Sequence, residues 1–266
     1  MTTLRRTSTS YDNNGQYSRQ SILRYEKIFG SGYISTGGPA TTDYLCALLG
    51  DKLANGVKVL DVGSGIGGAA FHLAREYGAI VTGVDLSPEM TDIALDATAD
   101  SGVSSQVEFL LADVLETDFD EPFDIVWSRD ALMHVHDKKR LFAKLHSLMA
   151  DGGELVITDY ARGAKPGTPE FEAYAKSTGY HLVEPAVYGK FLEDAGFVNV
   201  VVEDATAKFT EILKKEPVNL AANREDFLQS FSETDLNYLV DRWAMKVRFC
   251  DAGDMKWGIY KATKRG

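Results

Sequence analysis

Short apolar runs alternate with amphipathic helical segments from residue 57 onward. Strands that alternate with helices in this way indicate an α/β fold with a mostly parallel, doubly wound sheet. Right-handed crossovers between parallel strands leave few other topologies. The five runs that predict buried strands, with helices between them, are VKVLDV (57–62), AIVTGVD (79–85), VEFLLAD (107–113), FDIVWS (123–128) and GELVITDY (153–160).

Two more strands are predicted near the carboxyl end, at 196–204 and 256–263. Helical patterns at about 206–230 and 233–250 lie between them. A late pair of strands after five βα units fits a seven-stranded sheet with an antiparallel edge. The segment 161–195 interrupts the alternation with two predicted helices.

The amino-terminal segment differs from the rest in composition. Residues 1–16 are rich in Ser, Thr and Asn, so we expect them to be flexible. A predicted helix then places Ile22, Tyr25 and Phe29 on one face and ends at Gly30, and Pro39 opens the next helix. We expect a single domain over 17–266. In it, 17–55 forms a lid with its helices, and 161–195 is an insertion that contributes to the binding site of the substrate.

Composition narrows the class of protein. The net charge of −11 disfavours a general nucleic-acid binder, which normally has a basic face. Cys46 and Cys250 form neither a disulfide framework nor a metal-binding pattern. No apolar run reaches membrane-spanning length, and no apolar core follows Arg5 and Arg6 as in a secretory signal. We expect a cytoplasmic monomer with a small-molecule substrate, no bound metal and no stable membrane association.

The loop GSGIGG (63–68) joins the first strand to a helix, which is a nucleotide-binding layout. Glycines such as Gly63 and Gly65 permit a tight turn and close approach of a ligand to the amides at the helix start. The loop satisfies both G-x-G-x-G and the dinucleotide pattern G-x-G-x-x-G. By itself it also fits a strand–helix turn that binds nothing.

Three acidic residues stand at consecutive strand ends, and these positions meet at the ligand-bearing edge of such a sheet. Asp61 would repel a pyrophosphate but suits the cationic amino-acid end of S-adenosylmethionine. Asp85 can accept ribose hydroxyls, and Asp113 suits the adenine amino group. Each alone could be a helix cap or a solvated acid. Together with VLDVGSGIGG, GVDLS and AD, the set resembles the class I S-adenosylmethionine-dependent methyltransferases.

Asp130 and His134 follow the fourth strand and are four residues apart. In a helical turn they would share one face at the lip of the cofactor pocket. A carboxylate and an imidazole could bind an ammonium and take its proton. The alternative is that Asp130 caps a helix and His134 is an ordinary buried histidine.

Longer segments carry a more specific resemblance, to the phosphoethanolamine N-methyltransferases, from about Gln16 to Lys264. It implies S-adenosylmethionine-dependent methylation of phosphoethanolamine or its mono- and dimethyl derivatives, towards phosphocholine. The segments are QYSRQSILRYEKIFGSGYISTGG (16–38), SRDALMH (128–134), ITDY (157–160), GYHL (179–182) and KWGIYKATK (256–264).

The resemblance also implies roles for individual residues. Tyr17 and His134 would close over the active site, while Asp130 and Tyr160 would lie near the amine. The phosphate would be held by Tyr25, Tyr174, Tyr180 and Lys246. Further positions that match cofactor contacts of the family are Gln16, Ile34, Ser35, Gly63, Asp85, Leu86, Asp113, Val114 and Arg129.

One position departs from the family pattern. The family commonly has arginine two residues before the tyrosine of GYHL, whereas this chain has Thr178. One expected phosphate contact is therefore lost, which leaves the phosphobase open. The alternatives are a methyltransferase acting on a carboxylated amine or a ring carbon, a nicotinamide-dependent oxidoreductase, which Asp61 and Asp113 disfavour, and a non-catalytic cofactor-binding module.

Overall fold

The computed structural model describes residues 18–266, whose centre is a seven-stranded sheet. Residues 1–17 lie outside the described part, and with them the predicted flexible segment, Gln16 and Tyr17. The strands are β1 (Lys58–Val62), β2 (Ile80–Asp85), β3 (Val107–Leu111), β4 (Phe123–Arg129), β5 (Met149–Arg162), β6 (Phe197–Asp204) and β7 (Met255–Lys264).

Helices connect most of the strands. Short 3-10 turns add to them at Gly50–Lys52 and Leu132–His134. The helices are α1 (Arg19–Phe29), α2 (Gly38–Leu49), α3 (Gly68–Tyr77), α4 (Pro88–Thr98), α5 (Lys138–Leu148), α6 (Pro169–Ser177), α7 (Pro185–Asp194), α8 (Thr206–Ala222), α9 (Arg224–Leu228) and α10 (Glu233–Ala252).

The predicted doubly wound, mostly parallel sheet is confirmed. Its strand order is β3-β2-β1-β4-β5-β7-β6, and β1 to β5 pair in parallel. The antiparallel strand, β7, lies between β5 and β6, inside the edge of the sheet. The late pair of strands therefore extends the sheet beyond β5 and leaves β6 as its edge.

Both faces of the sheet are covered, which explains why its central strands β1, β2 and β4 are buried and mostly apolar. Ile125 and Trp127 of β4 belong to one hydrophobic cluster. Val126, between them, belongs to the other. Because neighbouring side chains on a strand point to opposite faces, each face has its own core. Trp127 and Val126 are fully buried.

The expected helix between β3 and β4 is wrong: within the described chain, residues 112–122 form turns. Asp113 bonds locally within this segment: its carboxylate accepts the backbone N–H of Leu115 at 2.9 Å, and its backbone carbonyl accepts the Thr117 hydroxyl at 2.7 Å. Such local side-chain bonds compete with helix formation. Phe119 then packs on Phe123 at the start of β4. The predicted stretch 206–230 is likewise divided, into α8 and α9.

No helix within residues 18–266 combines the length and the apolar character needed to cross a membrane.

Candidate active site

The larger of two neighbouring cavities lies at the carboxyl ends of β1 to β4 and has a volume of about 270 Å³. The glycine loop 63–68 forms one wall. The Gly68 amide donates to the Gly32 carbonyl at 2.9 Å. A Cβ at position 68 would lie 2.2 Å from that carbonyl oxygen, so only glycine permits this contact. The contact holds the 30–37 loop, between α1 and α2, against the start of α3.

Asp61 is the most deeply buried acid of this cavity, with 2% of its surface exposed. Burial raises its pKa to about 7, against the opposing effect of Arg129. Its Oδ2 has no hydrogen-bond partner among residues 18–266. A buried acceptor without a donor is costly. Asp61 is therefore suited to a ligand that brings N–H donors and positive charge.

The other two predicted acids also line the larger cavity, and both bond to the backbone. Asp85 accepts the amides of Gly65 at 2.9 Å and Ser87 at 2.8 Å. These bonds fix the glycine loop relative to β2. Asp113 bonds to its own turn. Each carboxylate oxygen retains a second lone pair for a ligand.

Arg129 forms part of the wall of the larger cavity. Its buried guanidinium donates to the carbonyls of Gly38 at 2.9 Å and Thr36 at 3.1 Å, and to the Thr42 hydroxyl at 2.7 Å. It therefore supports the 30–37 loop and the start of α2 as well as lining the cavity. All predicted cofactor positions within residues 18–266 line this cavity, namely Ile34, Ser35, Asp61, Gly63, Gly65, Asp85, Leu86, Asp113, Val114 and Arg129.

Asp130 lines both cavities and marks the place where they meet. Its backbone is left-handed (φ 49°), which is uncommon for a residue other than glycine. Its amide donates to the Thr158 carbonyl at 2.8 Å, and its Oδ1 accepts the indole N–H of Trp257 at 2.8 Å. Its Oδ2 is buried without a partner among residues 18–266. One oxygen is thus fixed while the other can bind a ligand.

The helical face expected for Asp130 and His134 is wrong. A 3-10 turn spans only Leu132–His134, and Asp130 precedes it in the left-handed conformation. Both side chains nevertheless line the larger cavity. The His134 ring contacts Tyr180 edge to face, with 5.2 Å between ring centroids. The pairing of His134 with Tyr17 stays a prediction, because Tyr17 lies outside the described residues.

Two buried charged residues that the sequence analysis did not single out hold the 132–135 turn. Asp159 accepts the Met133 amide at 3.0 Å. Lys138 donates to the carbonyls of Leu132 at 2.7 Å and Val135 at 2.6 Å. Both side chains are buried, where hydrogen bonds are electrostatically stronger than in water. The position of His134 depends on them.

The smaller cavity, of about 80 Å³, lies on the other side of Asp130. Four of the five predicted acceptor residues line it: Tyr25, Tyr160, Tyr180 and Lys246. Tyr174 is not among its lining residues. It packs behind Tyr180, with 5.8 Å between ring centroids.

Lys246 places a cation at this cavity. Its Nζ donates to the Tyr160 hydroxyl at 2.8 Å and lies 4.6 Å from the centre of that ring. Burial, and then repulsion from Arg242, lowers the pKa of Lys246 to about 7, while Asp130 acts in the opposite direction. Arg242 also lines the cavity. Its signal in the sequence was its spacing, four residues before Lys246 in a predicted helix.

A protein-family profile described as a methyltransferase domain matches residues 59–153. Phosphoethanolamine N-methyltransferase of Plasmodium falciparum is 34% identical over 255 residues, which cover 94% of this chain and 94% of that protein. The chain belongs to the phosphoethanolamine N-methyltransferase family.

Other members of this family are longer. Phosphoethanolamine N-methyltransferase 1 of Triticum aestivum is 44% identical across 94% of this chain, which spans 50% of that protein. The chain spans about half the length of the first curated relatives it matches. Among solved structures, Haemonchus contortus phosphoethanolamine N-methyltransferase 2, in complex with phosphomonomethylethanolamine and S-adenosylhomocysteine, has a TM-score of 0.91 at 31% identity. The match covers 96% of this chain and 59% of that one.

We predict that the imidazole of His134 is neutral throughout the neutral pH range. Burial, and then the charges of Lys138 and His181, lower its pKa to about 4. The charged form therefore appears only as the pH falls towards 4, whereas an ordinary histidine titrates near pH 6.5. Histidine NMR titration measures this, with His134→Gln identifying the resonance and His136→Gln as the control. A His134 resonance that titrates above pH 6 would contradict the prediction.

Proposed function

We propose that this chain catalyses S-adenosylmethionine-dependent N-methylation of phosphoethanolamine or of its mono- and dimethyl derivatives. The observation that carries the proposal is the arrangement of charge in the two cavities that meet at Asp130. Acids dominate the larger cavity, and Lys246 and Arg242 line the smaller one. A cationic cofactor and an anionic group on the acceptor are matched to these two sides.

The larger cavity fits S-adenosylmethionine. The unpartnered Asp61 oxygen would accept the α-ammonium, and Asp85 and Asp113, which line the same cavity, would accept hydroxyl and amino groups. Three carboxylates would repel the pyrophosphate of a dinucleotide, which disfavours the oxidoreductase alternative. When bound, S-adenosylmethionine supplies a methyl group made electrophilic by its sulfonium.

The acceptor would be oriented by charge at both ends. The free Oδ2 of Asp130 would accept an N–H of the amine and direct the amine towards the larger cavity. At the other end, Lys246 and Arg242 would attract the phosphate. Holding the amine next to the cofactor site is the main catalytic task, because a well-oriented pair reacts as if at a very high local concentration.

The amine must also lose a proton, because a free alkylammonium has a pKa of about 10. His134 is in its neutral, proton-accepting form at neutral pH. Its low pKa makes it a weak base, so it would orient the amine as a hydrogen-bond acceptor while the amine's proton passes to solvent. Tyr160 lines the smaller cavity, and its phenol pKa is raised, mainly by burial and then by Asp130, so it would act as a hydrogen-bond donor beside the amine.

A methyltransferase that acts on a carboxylated amine is the second candidate. One carboxylate carries a single negative charge, whereas a phosphate monoester is close to a dianion at neutral pH. The two cations of the smaller cavity favour the dianion. Charge therefore favours the phosphobase.

The test is a product assay with each acceptor at equal concentration. We expect methyl transfer to at least one of phosphoethanolamine, phosphomonomethylethanolamine and phosphodimethylethanolamine, with kcat/KM at least about a hundredfold above that for the same amine without phosphate. Two charge-assisted hydrogen bonds justify this ratio. Mass spectrometry of the products measures it, with glycine and sarcosine as the carboxylated controls. Equal efficiency with and without phosphate would contradict the proposal.

We further expect the binding of phosphocholine to weaken above pH 7. Lys246 is charged below its pKa of about 7 and neutral above it. At higher pH, Lys246 must therefore take up a proton each time an anion binds. The dissociation constant should rise by up to about tenfold per pH unit. Phosphocholine is suitable because its quaternary ammonium has no proton to lose.

Calorimetry with the S-adenosylhomocysteine complex between pH 6.5 and 9 measures this dependence. Lys246→Arg should flatten it, because arginine stays charged. The titration of the ligand's own phosphate is the same for both proteins and cancels in the comparison. An identical pH dependence in the two proteins would show that Lys246 does not titrate against the phosphate.

A further inference from the structure

We propose that Arg242, on α10, is the principal anchor of the acceptor's phosphate and supplies the guanidinium that position 178 does not provide. This inference rests on the proposed function and assigns one specific residue of the smaller cavity.

Arg242 has the right position. It is four residues before Lys246, so the two side chains lie on the same face of α10, one turn apart. Both line the smaller cavity. Two cations on one helix face can therefore hold two oxygens of one phosphate.

The guanidinium of Arg242 is not used by an internal ion pair. Within residues 18–266, Arg24 pairs with Asp235 at 2.8 Å and Arg248 with Glu170 at 3.0 Å, but Arg242 pairs with no carboxylate. This protein has a net charge of −11, so acidic partners are plentiful, yet the half-buried Arg242 forms an ion pair with none of them in the described chain.

Aromatic rings hold the Arg242 guanidinium in place. Its central carbon lies 5.4 Å from the ring centre of Tyr174 and 5.6 Å from that of Tyr238. Cation–π contact with these rings supports the positive charge without an acidic partner. A guanidinium held in this way can offer two N–H groups for the two-pronged contact that arginine makes with phosphate. Tyr174 lies behind the cavity wall, so its role would be to hold the Arg242 guanidinium and not to contact the phosphate itself.

Position 178 cannot supply the charge. Thr178 caps the carboxyl end of α6, and its hydroxyl donates to the carbonyls of Tyr174 at 2.9 Å and Ala175 at 3.1 Å. The side chain is thus neutral and already bonded to its own helix. Any guanidinium in this cavity has to come from another element, and α10 provides it.

The electrostatics of the cavity agree with this assignment. Repulsion from Arg242 is one reason why Lys246 has a lowered pKa, and Asp130 is the acid that opposes it. Two cations that repel each other inside one cavity are stabilised by a shared dianion. Binding of the phosphate would relieve the repulsion and return Lys246 to its charged form.

The test compares Arg242→Gln and Arg242→Lys with Arg248→Gln, a control on the exposed side of the same helix. Calorimetry of phosphocholine with the S-adenosylhomocysteine complex should show a dissociation constant that is about tenfold to hundredfold larger for Arg242→Gln. The Arg242→Lys variant should lose less affinity for phosphocholine, because lysine keeps the positive charge but lacks the paired N–H groups of the guanidinium. Arg248→Gln should bind like the wild type.

Two further readouts separate phosphate binding from a structural effect. The pH at which phosphocholine binding weakens should move upward in Arg242→Gln, because Lys246 loses its repelling neighbour. The affinity for S-adenosylhomocysteine and the Tm should remain those of the wild type.

The outcomes distinguish the two proposals. If the wild type binds phosphocholine and Arg242→Gln binds it equally well, the assignment of Arg242 is wrong and the proposed function stands. If the wild type neither binds phosphocholine nor methylates a phosphobase, the proposed function itself fails. An Arg242→Gln variant that loses cofactor affinity to the same degree would also overturn the assignment.

Discussion

The carboxylate of Asp130 is the constraint on which the site depends. Its left-handed backbone, the bond from its amide to Thr158 and the bond from Trp257 together fix one carboxylate oxygen. The other oxygen lies at the junction of the two cavities without a partner in the described chain. A conformation of this kind costs on the order of 1–3 kcal/mol and persists only where the surroundings enforce it. Here β5 and β7 enforce it.

The separation of charge on the two sides of Asp130 would determine which molecules enter and in which direction. Asp61, Asp85 and Asp113 favour a cationic ligand on one side, while Lys246 and Arg242 favour an anionic group on the other. A substrate with an ammonium at one end and a phosphate at the other can satisfy both sides in only one orientation. That orientation brings the amine to the cofactor side. The protein's overall negative charge makes the local cations more important, since long-range attraction of an anion is absent.

The sequence predicted the sheet and the larger cavity well, because both follow from local rules. Buried parallel strands are continuous apolar runs, and their carboxyl ends must meet at one edge, so Asp61, Asp85 and Asp113 could be brought together in advance. The helix predicted after β3 does not form. Asp113 bonds to its own turn there, and the periodicity of the sequence does not reveal such local bonds.

The smaller cavity was harder to predict because α1, β5, α10 and the loop after α6 build it from distant parts of the chain. The resemblance identified Lys246, but the sequence analysis did not single out Arg242, whose place at the cavity depends on how α10 packs beside Tyr160. Tyr174 was expected to touch the phosphate, but the structure places it behind Tyr180. The conformation of Asp130 depends on contacts with Thr158 and Trp257, which no spacing rule contains.

The most direct test of this account is a crystal structure of the chain with S-adenosylhomocysteine and phosphoethanolamine. We predict the amine within hydrogen-bond distance of Asp130 Oδ2 and the phosphate in contact with both Arg242 and Lys246. A phosphate bound near Asp61, or an amine that points towards α10 and away from Asp130, would contradict the account.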